Sequence, residues 1–454
     1  MKVDHSAVDE FEGLELGDVR RVARVRRTVA ALQSDPAAAF PKALKTVAAR
    51  EAFYRLVNND AVTIEALLVP HAAQTIGRIA QDDERPIVAI DKTKFIFEGD
   101  GDRDGLDRLS NNKQGFEAFF ALAVSATRRS HGVLGIQVLD GQGASSGNAW
   151  NEFLSKAGGE LEGAKMRPIY VMDREADSYA LLHELVAAQR DFVIRISFDR
   201  LVREFKDSIK EPLRVVAARS PTMVSRTVRV NRRKTAGRTT PQRLKHPPRP
   251  SRDALLSIRA TEISMPRPGG PSTKGLGDQL LLNLVQVVEE RPADGEVPIE
   301  WFLVTSLPIA TARGVEDVVD AYRARWVIEE YFKALKTGCK YESRQLESRH
   351  ALLNALGLLV PIAWRLLELR TIGEEEPEAT ALDVLDRDEL HVLRKLARDA
   401  KLGPNPTAHE ALLAVASLGG HIRQNGRPGW QTLFLGFQEL LKTVDGYRFA
   451  KSEM

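Results

Sequence analysis

A single cysteine, Cys339, stands in 454 residues, so no intramolecular disulfide and no cysteine-rich zinc site can form. That scarcity fits a reducing cytosol. No run approaches the roughly twenty apolar residues that a membrane span needs. The opening stretch, Met1 to Glu15, is acidic and lacks the basic start and apolar core of a signal peptide, so a cytoplasmic protein is expected. The nine histidines include no pair at zinc-ligand spacing. The Gly-x-x-x-x-Gly-Lys-Ser/Thr motif is missing too, which argues against ATP hydrolysis. Asp100-Gly-Asp102-Arg-Asp104-Gly105 starts like a calcium loop, but Asn111 stands where the twelfth-position glutamate belongs, and a polar hairpin turn is expected instead. What is present describes an ordinary globular chain of two to four domains, 43% hydrophobic and 28% charged. The formal charge of +3 is too small to identify a nucleic-acid binder, so the distribution of charge matters more than its sum.

Four regions separate along the chain. Residues 1–80 read as helical and basic. Asp18 caps a helix carrying Arg20, Arg21, Arg24, Arg26 and Arg27, and a second basic helix around Lys42 to Arg55 includes Phe53-Tyr54-Arg55. Such a domain suits phosphate contact, or is simply a solvated bundle. From about 84 to 200, apolar strands alternate with helices: Arg85 to Asp91, Phe116 to Ser125, Val133 to Leu139, a helix from Asn148 to Ala157, Pro168 to Asp173, a helix from Ala176 to Gln189, and Asp191 to Ile196. This order predicts an α/β domain with a mixed sheet. From about 200 to 310 the pattern is interrupted. Arg219 to Arg252 contains no acid, is rich in Arg, Lys, Pro, Thr and Ser, and includes Arg232-Arg233-Lys234. A cationic loop inside a β-rich insertion is expected, with strands over Ala254 to Ile263, Gln279 to Val288 and Ile299 to Ser306. The remainder reads as helical and ends in the apolar stripe Trp430, Leu433, Phe434, Phe437, Leu440, Leu441 and Val444, which suits either core or an oligomer interface.

The stretch Asp320 to Lys336 carries the chemistry. At about 100° per residue, Val327, Ile328, Tyr331, Phe332 and Leu335 face inward, while Tyr322, Arg325, Glu329, Lys333 and Lys336 form one stripe. A stripe with one acid, several cations and a phenol needs carboxylates from elsewhere. Asp91 and Asp173 each follow an apolar strand, where an acid either points from the sheet edge into a cleft or caps a helix. Together with Glu329 they would make a hard-oxygen site for magnesium or manganese. Two such ions about 4 Å apart support in-line phosphoryl transfer.

Asp173-Arg174-Glu175-Ala176-Asp177 after an apolar strand resembles the second-aspartate motif of bacterial cut-and-paste DDE transposases of the transposon-five and insertion-sequence-four group. Tyr322, Arg325, Glu329 and Lys336 are similar to that group's Tyr-Arg-Glu-Lys signature, and Ala89-Ile-Asp91-Lys92-Thr93 to its first-aspartate strand. Leu16-Gly-Asp-x-Arg-Arg-x-x-Arg24 and Ala52-Phe-Tyr54-Arg55 resemble its N-terminal DNA-binding region. Leu418-Gly-Gly with Gly429-Trp430 and the final helix resembles its dimerisation region.

The resemblance implies a ribonuclease-H-like catalytic core over 81–372, with the β-rich insertion at about 200–310. A helical DNA-binding domain over 1–80 and a helical dimerisation domain over 373–454 would flank it. Asp91, Asp173 and Glu329 would hold two Mg2+ ions, with Mn2+ able to substitute. Tyr322, Arg325, Lys333, Lys336, Arg174, Arg195, Arg20, Arg21, Arg24, Tyr54 and Arg55 would contact DNA, and Trp301 would stack on a flipped base of a hairpin intermediate or else sit in the core. Trp326 is expected to pack beside the site.

Two positions depart from the group's pattern. Gly115 to Phe120 has no histidine where relatives often carry one, and Lys92 follows the first aspartate. The expected partners are double-stranded DNA and a second copy of the chain, with no nucleotide cofactor. The expected activity is excision and insertion of a mobile element in a bacterial cytoplasm. Two other readings stand beside it: a catalytically silent DNA-binding relative, and a metal-dependent structure-selective nuclease without strand transfer.

Overall fold

The computed structural model describes residues 6–453 except 83, 100, 110–112, 140–146, 205–207, 231, 233–246, 293–294, 423 and 425. The chain divides into two compact units, one formed by Met1–Pro168 with Ala324–Met454 and the other by Ile169–Arg323.

The first unit opens with helices α1 (Val19–Ser34), α2 (Phe40–Ala43), α3 (Val47–Val57) and α4 (Ile64–Gln81). Short polar side chains start three of them. Asp18, Thr46 and Thr63 accept hydrogen bonds from the amides of Arg20 (2.8 Å), Ala49 (3.1 Å) and Ala66 (3.2 Å). Val25, Thr28, Val29 and Leu32 of α1 recur at helical spacing and are buried. The basic helix expected around Lys42 to Arg55 is two elements, because Leu44 leaves helical dihedrals (φ −91°, ψ 84°) and Thr46 caps a new start.

Four antiparallel strands follow, β1 (Ile87–Ile96), β2 (Asp107–Arg108), β3 (Gln114–Val124) and β4 (Ser130–Leu139), then α5 (Gly147–Gly163). β3 pairs with β1, β4 and β2. β1 runs past Asp91, so this acid lies within a strand rather than at its end. The continuation has a cause: Thr93, Phe95 and Phe97 alternate inward beyond Asp91, and the backbone stays in register with β3 to Gly115. Residues 100 and 111 of the calcium-loop lookalike lie outside the described residues.

In the second unit, β5 (Ile169–Met172), α6 (Tyr179–Ala187) and β6 (Asp191–Arg195) form a parallel pair with a crossover helix. Next come β7 (Leu201–Val202), β8 (Glu211–Pro212), α7 (Leu213–Arg219), β9 (Thr222–Val230), β10 (Arg252–Pro266), β11 (Gln279–Glu289) and β12 (Glu300–Thr305). α8 (Ala312–Ala324) ends at the unit boundary. The strand order is β5-β6-β12-β11-β10-β9, with β7 and β8 paired separately. The strands expected between 254 and 306 are present. The cationic stretch is not all loop, however. Its β-branched start, Thr222 to Val230, pairs with β10, and Arg233 and Lys234 fall outside the described residues.

The first unit resumes with α9 (Trp326–Lys333), a π-helical turn over Ala334–Gly338, α10 (Arg349–Glu375), α11 (Arg387–Leu396), α12 (Ala408–Leu418) and α13 (Trp430–Ser452). α10 corrects the expectation that no apolar run approaches membrane length. It is long and apolar enough by length and composition, yet 94% of its apolar window is buried inside the protein. It packs against α1, α3, α4, β4, α9 and α12, so its all-round apolarity reflects a core position. Asn354 on α10 donates to the carbonyls of Val57 (2.9 Å) and Val62 (2.7 Å), which ties the N-terminal helices to this spine. The C-terminal stripe is core: Leu433, Phe434, Phe437, Leu440, Leu441 and Val444 are all buried. α12 and α13 meet closely. A Cβ at Gly436 would stand 1.8 Å from the Val415 carbonyl oxygen.

One polar network is buried in this unit. Val133 donates its amide to His71 Nε2 (3.0 Å), so Nδ1 carries the proton and donates to Glu10 (2.5 Å). Arg78 also binds Glu10 (2.8 Å) and lies 4.1 Å over the Trp364 ring. Burial pushes His71 down, against the pull of Glu10, and pushes nearby His131 down to about 4, against Asp82 at 3.2 Å. Both imidazoles are neutral when folded and take up a proton on unfolding near the ordinary histidine value. The stability they confer is therefore complete above about pH 6.5 and is lost as pH falls from there towards 4. Urea unfolding between pH 7 and 4.5 should show a falling midpoint, and His131→Asn should flatten that fall. An unchanged slope in the variant would refute this role for His131.

Candidate active site

Two carboxylates of the first unit meet on one guanidinium. Ile87 to Ile90 are wholly buried, which fixes the strand that delivers Asp91. Its side chain is 15% exposed. Asp91 Oδ1 accepts from the Lys92 amide (2.8 Å), and Oδ2 accepts from Arg325 Nη1 (2.8 Å). The other fork nitrogen, Arg325 Nη2, donates to Glu329 Oε1 (2.5 Å), one helical turn on. Arg325 itself is 7% exposed and Glu329 44%. Arginine suits this place because its rigid fork can address two carboxylates at once. Lys336 reaches β1 as well. Its ammonium donates to the Lys94 carbonyl, lies 5.1 Å from the Phe95 ring and 3.7 Å from Glu342. Burial lowers its pKa, while Glu342 acts to raise it.

The inward face of this helical stretch is as its periodicity predicts: Val327, Ile328, Tyr331, Phe332 and Leu335 are buried. The outward stripe is less uniform. The stretch is not one helix, since a turn at Arg325 separates α8 from α9, and Lys336 lies in the π-helical turn. Tyr322 is 2% exposed and Arg325 is buried, whereas Lys333 is exposed and pairs with Glu330 (2.5 Å). Trp326, expected to pack, is 41% exposed.

Lys92, the unusual neighbour of Asp91, has a partner that sequence reasoning missed. Lys92 and Lys94 share Glu117 across the strand pair, at 3.4 and 2.6 Å. Burial acts to raise the Glu117 carboxyl, but the two ammoniums outweigh it and hold it below the usual range. Glu117 is thus the polar residue of the segment without a histidine. The only available signal was lysine spacing of two on a strand, which puts both on one face.

In the second unit, Asp173 follows β5 and caps the short 3-10 turn Arg174–Ala176, accepting from the Glu175 amide (2.8 Å). Arg174 beside it is exposed. The motif's last acid, Asp177, has a structural task. Buried, it accepts from the amides of Ser197 (2.8 Å) and Phe198 (3.1 Å) and pairs with Arg200. Trp301 on β12 is half-buried between Tyr322, whose ring stands edge-on at 5.4 Å, and Arg195, whose guanidinium lies 5.9 Å over the indole. The remaining expected DNA contacts lie on α1 and α3. Arg20 is exposed and pairs with Asp18, Arg55 is exposed and pairs with Glu51, and Tyr54 is exposed. Arg21 and Arg24 are half-buried. Among the described residues, no three His, Cys, Asp or Glu side chains are gathered as a metal site.

Residues 83–364 match the family described as "Transposase DDE domain", 5–62 match "Transposase DNA-binding", and 361–454 match "Transposase Tn5 dimerisation domain". A solved structure, a cryo-EM structure of a piggyBac transposase synaptic complex with hairpin DNA, is 12% identical. That alignment covers 94% of this chain and 72% of the other, with a TM-score of 0.35, below what establishes a common fold. The DDE match spans more than half of the chain, which therefore belongs to the family of DDE transposases. With the two flanking matches it is a DNA transposase of the Tn5 kind.

The Asp91–Arg325–Glu329 bridge has a direct test. Arg325→Gln leaves two carboxylates facing each other without a cation, and should cost about 2 kcal/mol of unfolding free energy once the exposure of Glu329 is allowed for. Unaltered stability in urea would contradict the bridge.

Proposed function

We propose that this transposase binds the two ends of a mobile element as a dimer, cleaves them by hydrolysis and hairpin closure, and joins the freed 3′ ends to target DNA. The observation that carries the reading is the meeting of Asp91 and Glu329 on a single buried cation, Arg325. Carboxylates brought that close already attract positive charge, and their oxygens are the hard donors that Mg2+ and Mn2+ prefer. With Asp173 they form the triad expected of a DDE domain. Two divalent ions held there would activate the attacking oxygen and stabilise the leaving one.

The chain's other residues have roles that follow from their chemistry. Arg325 and Lys336 offset charge on the pentacoordinate phosphorus. Water adds to a phosphorus at the element's end and a 3′-oxygen leaves. That 3′-hydroxyl attacks the phosphorus of the opposite strand, forming one P–O bond as another breaks, which closes a hairpin. Hydrolysis reopens it, and the 3′-hydroxyl then attacks target DNA. Trp301, with Arg195 over its face, offers a π-surface for a base lost from the stack. The arginines of α1 and α3, with Tyr54, supply phosphate contacts at the ends, supported by the match of 5–62. The match of 361–454 supports dimerisation, with Leu435 and Phe449 exposed on α13 as apolar contacts. The reading divides the chain into a ribonuclease-H-like core over 81–372 with a β-rich insertion at about 200–310, between domains 1–80 and 373–454; the matches of 5–62, 83–364 and 361–454 and strands β9 to β12 support it.

Asp91→Ala, Asp173→Ala and Glu329→Ala should each lower first-strand nicking at least ~1000-fold while end binding survives, and chelation of divalent ions should do the same. Residual nicking near the wild-type rate in any of the three would remove that residue from the triad. Trp301→Ala should slow hairpin closure more than first nicking. Equal slowing of both steps would count against base stacking.

A further inference from the structure

We infer that Glu330 is a positioning residue through which the C-terminal helix sets the orientation of Glu329. The inference rests on the reading of Glu329 as a metal ligand, but on different contacts. Glu330 follows Glu329 on α9 and points to other partners. Its carboxylate accepts the indole N–H of Trp430, the first residue of α13, and pairs with Arg370 of α10 at 3.3 Å. Arg370 lies 4.6 Å over the Trp430 ring and donates to the Pro428 carbonyl (3.1 Å), so the three side chains close on one another.

A second grip lies eight residues along. Trp430 stacks on Phe434 with ring centroids 4.8 Å apart, and the Phe434 ring fills the space over Gly338. A Cβ at Gly338 would stand 2.4 Å from that ring, so only glycine allows the approach. One turn of α13 therefore holds α9 at Glu330 and its π-helical continuation at Gly338. The π-helical turn widens the backbone where Phe434 enters.

Glu330 is held by Trp430, Arg370 and Lys333, and Trp430 by Glu330, Arg370 and Phe434, contacts that the candidate chemistry does not explain. Geometry does. Adjacent helical residues point about 100° apart. A rotation of α9 that frees Glu330 from Trp430 must also swing Glu329 relative to Asp91. A misplacement of about 1 Å at a reacting centre can cost about 100-fold in rate. The contacts thus provide a route by which the region that matches a dimerisation domain acts on catalysis.

The test uses the full-length chain on end DNA, with single-turnover nicking followed across Mg2+ concentrations. Glu330→Ala and Trp430→Phe, the latter keeping the ring but losing the N–H, should each slow nicking about tenfold and raise the Mg2+ needed for half-maximal rate. Glu330→Gln, which can still accept from the indole, should retain more activity than Glu330→Ala. The double variant Glu330→Ala/Trp430→Phe should be no worse than Glu330→Ala alone, because that change already removes the acceptor of the indole N–H. End binding and dimer formation should be unchanged. Wild-type nicking in Trp430→Phe, additive losses, or an equal loss of end binding would overturn the inference. Glu329→Ala run alongside separates the two readings. If it still nicks, the ligand reading fails; if it is inactive while Glu330→Ala and Trp430→Phe nick normally, only the positioning role fails.

Discussion

The guanidinium of Arg325, shared between Asp91 and Glu329, is the interaction on which the candidate site depends. Two carboxylates drawn this close repel unless a cation stands between them, and the arginine supplies that charge from a position that is almost wholly buried. Its backbone lies at the turn between α8 and α9. Arg325 reaches Asp91 across to β1, and Glu329 lies one turn further along α9, 44% exposed. On the proposed reading, the same charge would serve a scissile phosphate: Arg325 would bridge the acids before substrate arrives and share in neutralising phosphorus afterwards.

The surroundings make that arrangement rigid from two directions. β1 is buried on both faces up to Asp91 and held to β3 throughout. α9 is backed by the apolar face of its own helix and by α10, whose 27 residues run through the core of the first unit. The C-terminal helix then grips α9 at Glu330 and the turn beyond it at Gly338. A site built on a strand and a helix with fixed backing can hold its acids within the small tolerances that phosphoryl transfer requires.

Much of this was legible in the residues. The alternation of strands and helices between 84 and 200 and the buried face of Val327, Ile328, Tyr331, Phe332 and Leu335 follow from periodicity alone. The cap at Asp18, and the cap at Asp173 as one of two readings, follow from residue type. What was not legible depends on partners distant in sequence or on backbone detail. β1 continues past Asp91 because β3 pairs with it there, which no local pattern announces. Lys92 looks like an oddity until Glu117 is placed across the strand. Asp177 reads as part of a motif, yet it is consumed by two amides and an arginine. The turn at Arg325 and the π-helical turn at Gly338 sit in a stretch whose side-chain pattern is that of one regular helix, so burial of Tyr322 and exposure of Trp326 could not be read from it. α10 has the composition of a membrane span and the surroundings of a core helix, and only its neighbours distinguish them.

On the proposed reading, Asp91, Asp173 and Glu329 jointly hold divalent metal. Anomalous scattering from Mn2+ in crystals of the protein bound to its end DNA tests it most directly. The account predicts manganese within about 2.2 Å of oxygens from all three residues, with Arg325 turned from the acids towards phosphate. Manganese bound elsewhere, or on one acid alone with Arg325 still bridging Asp91 and Glu329, would contradict it.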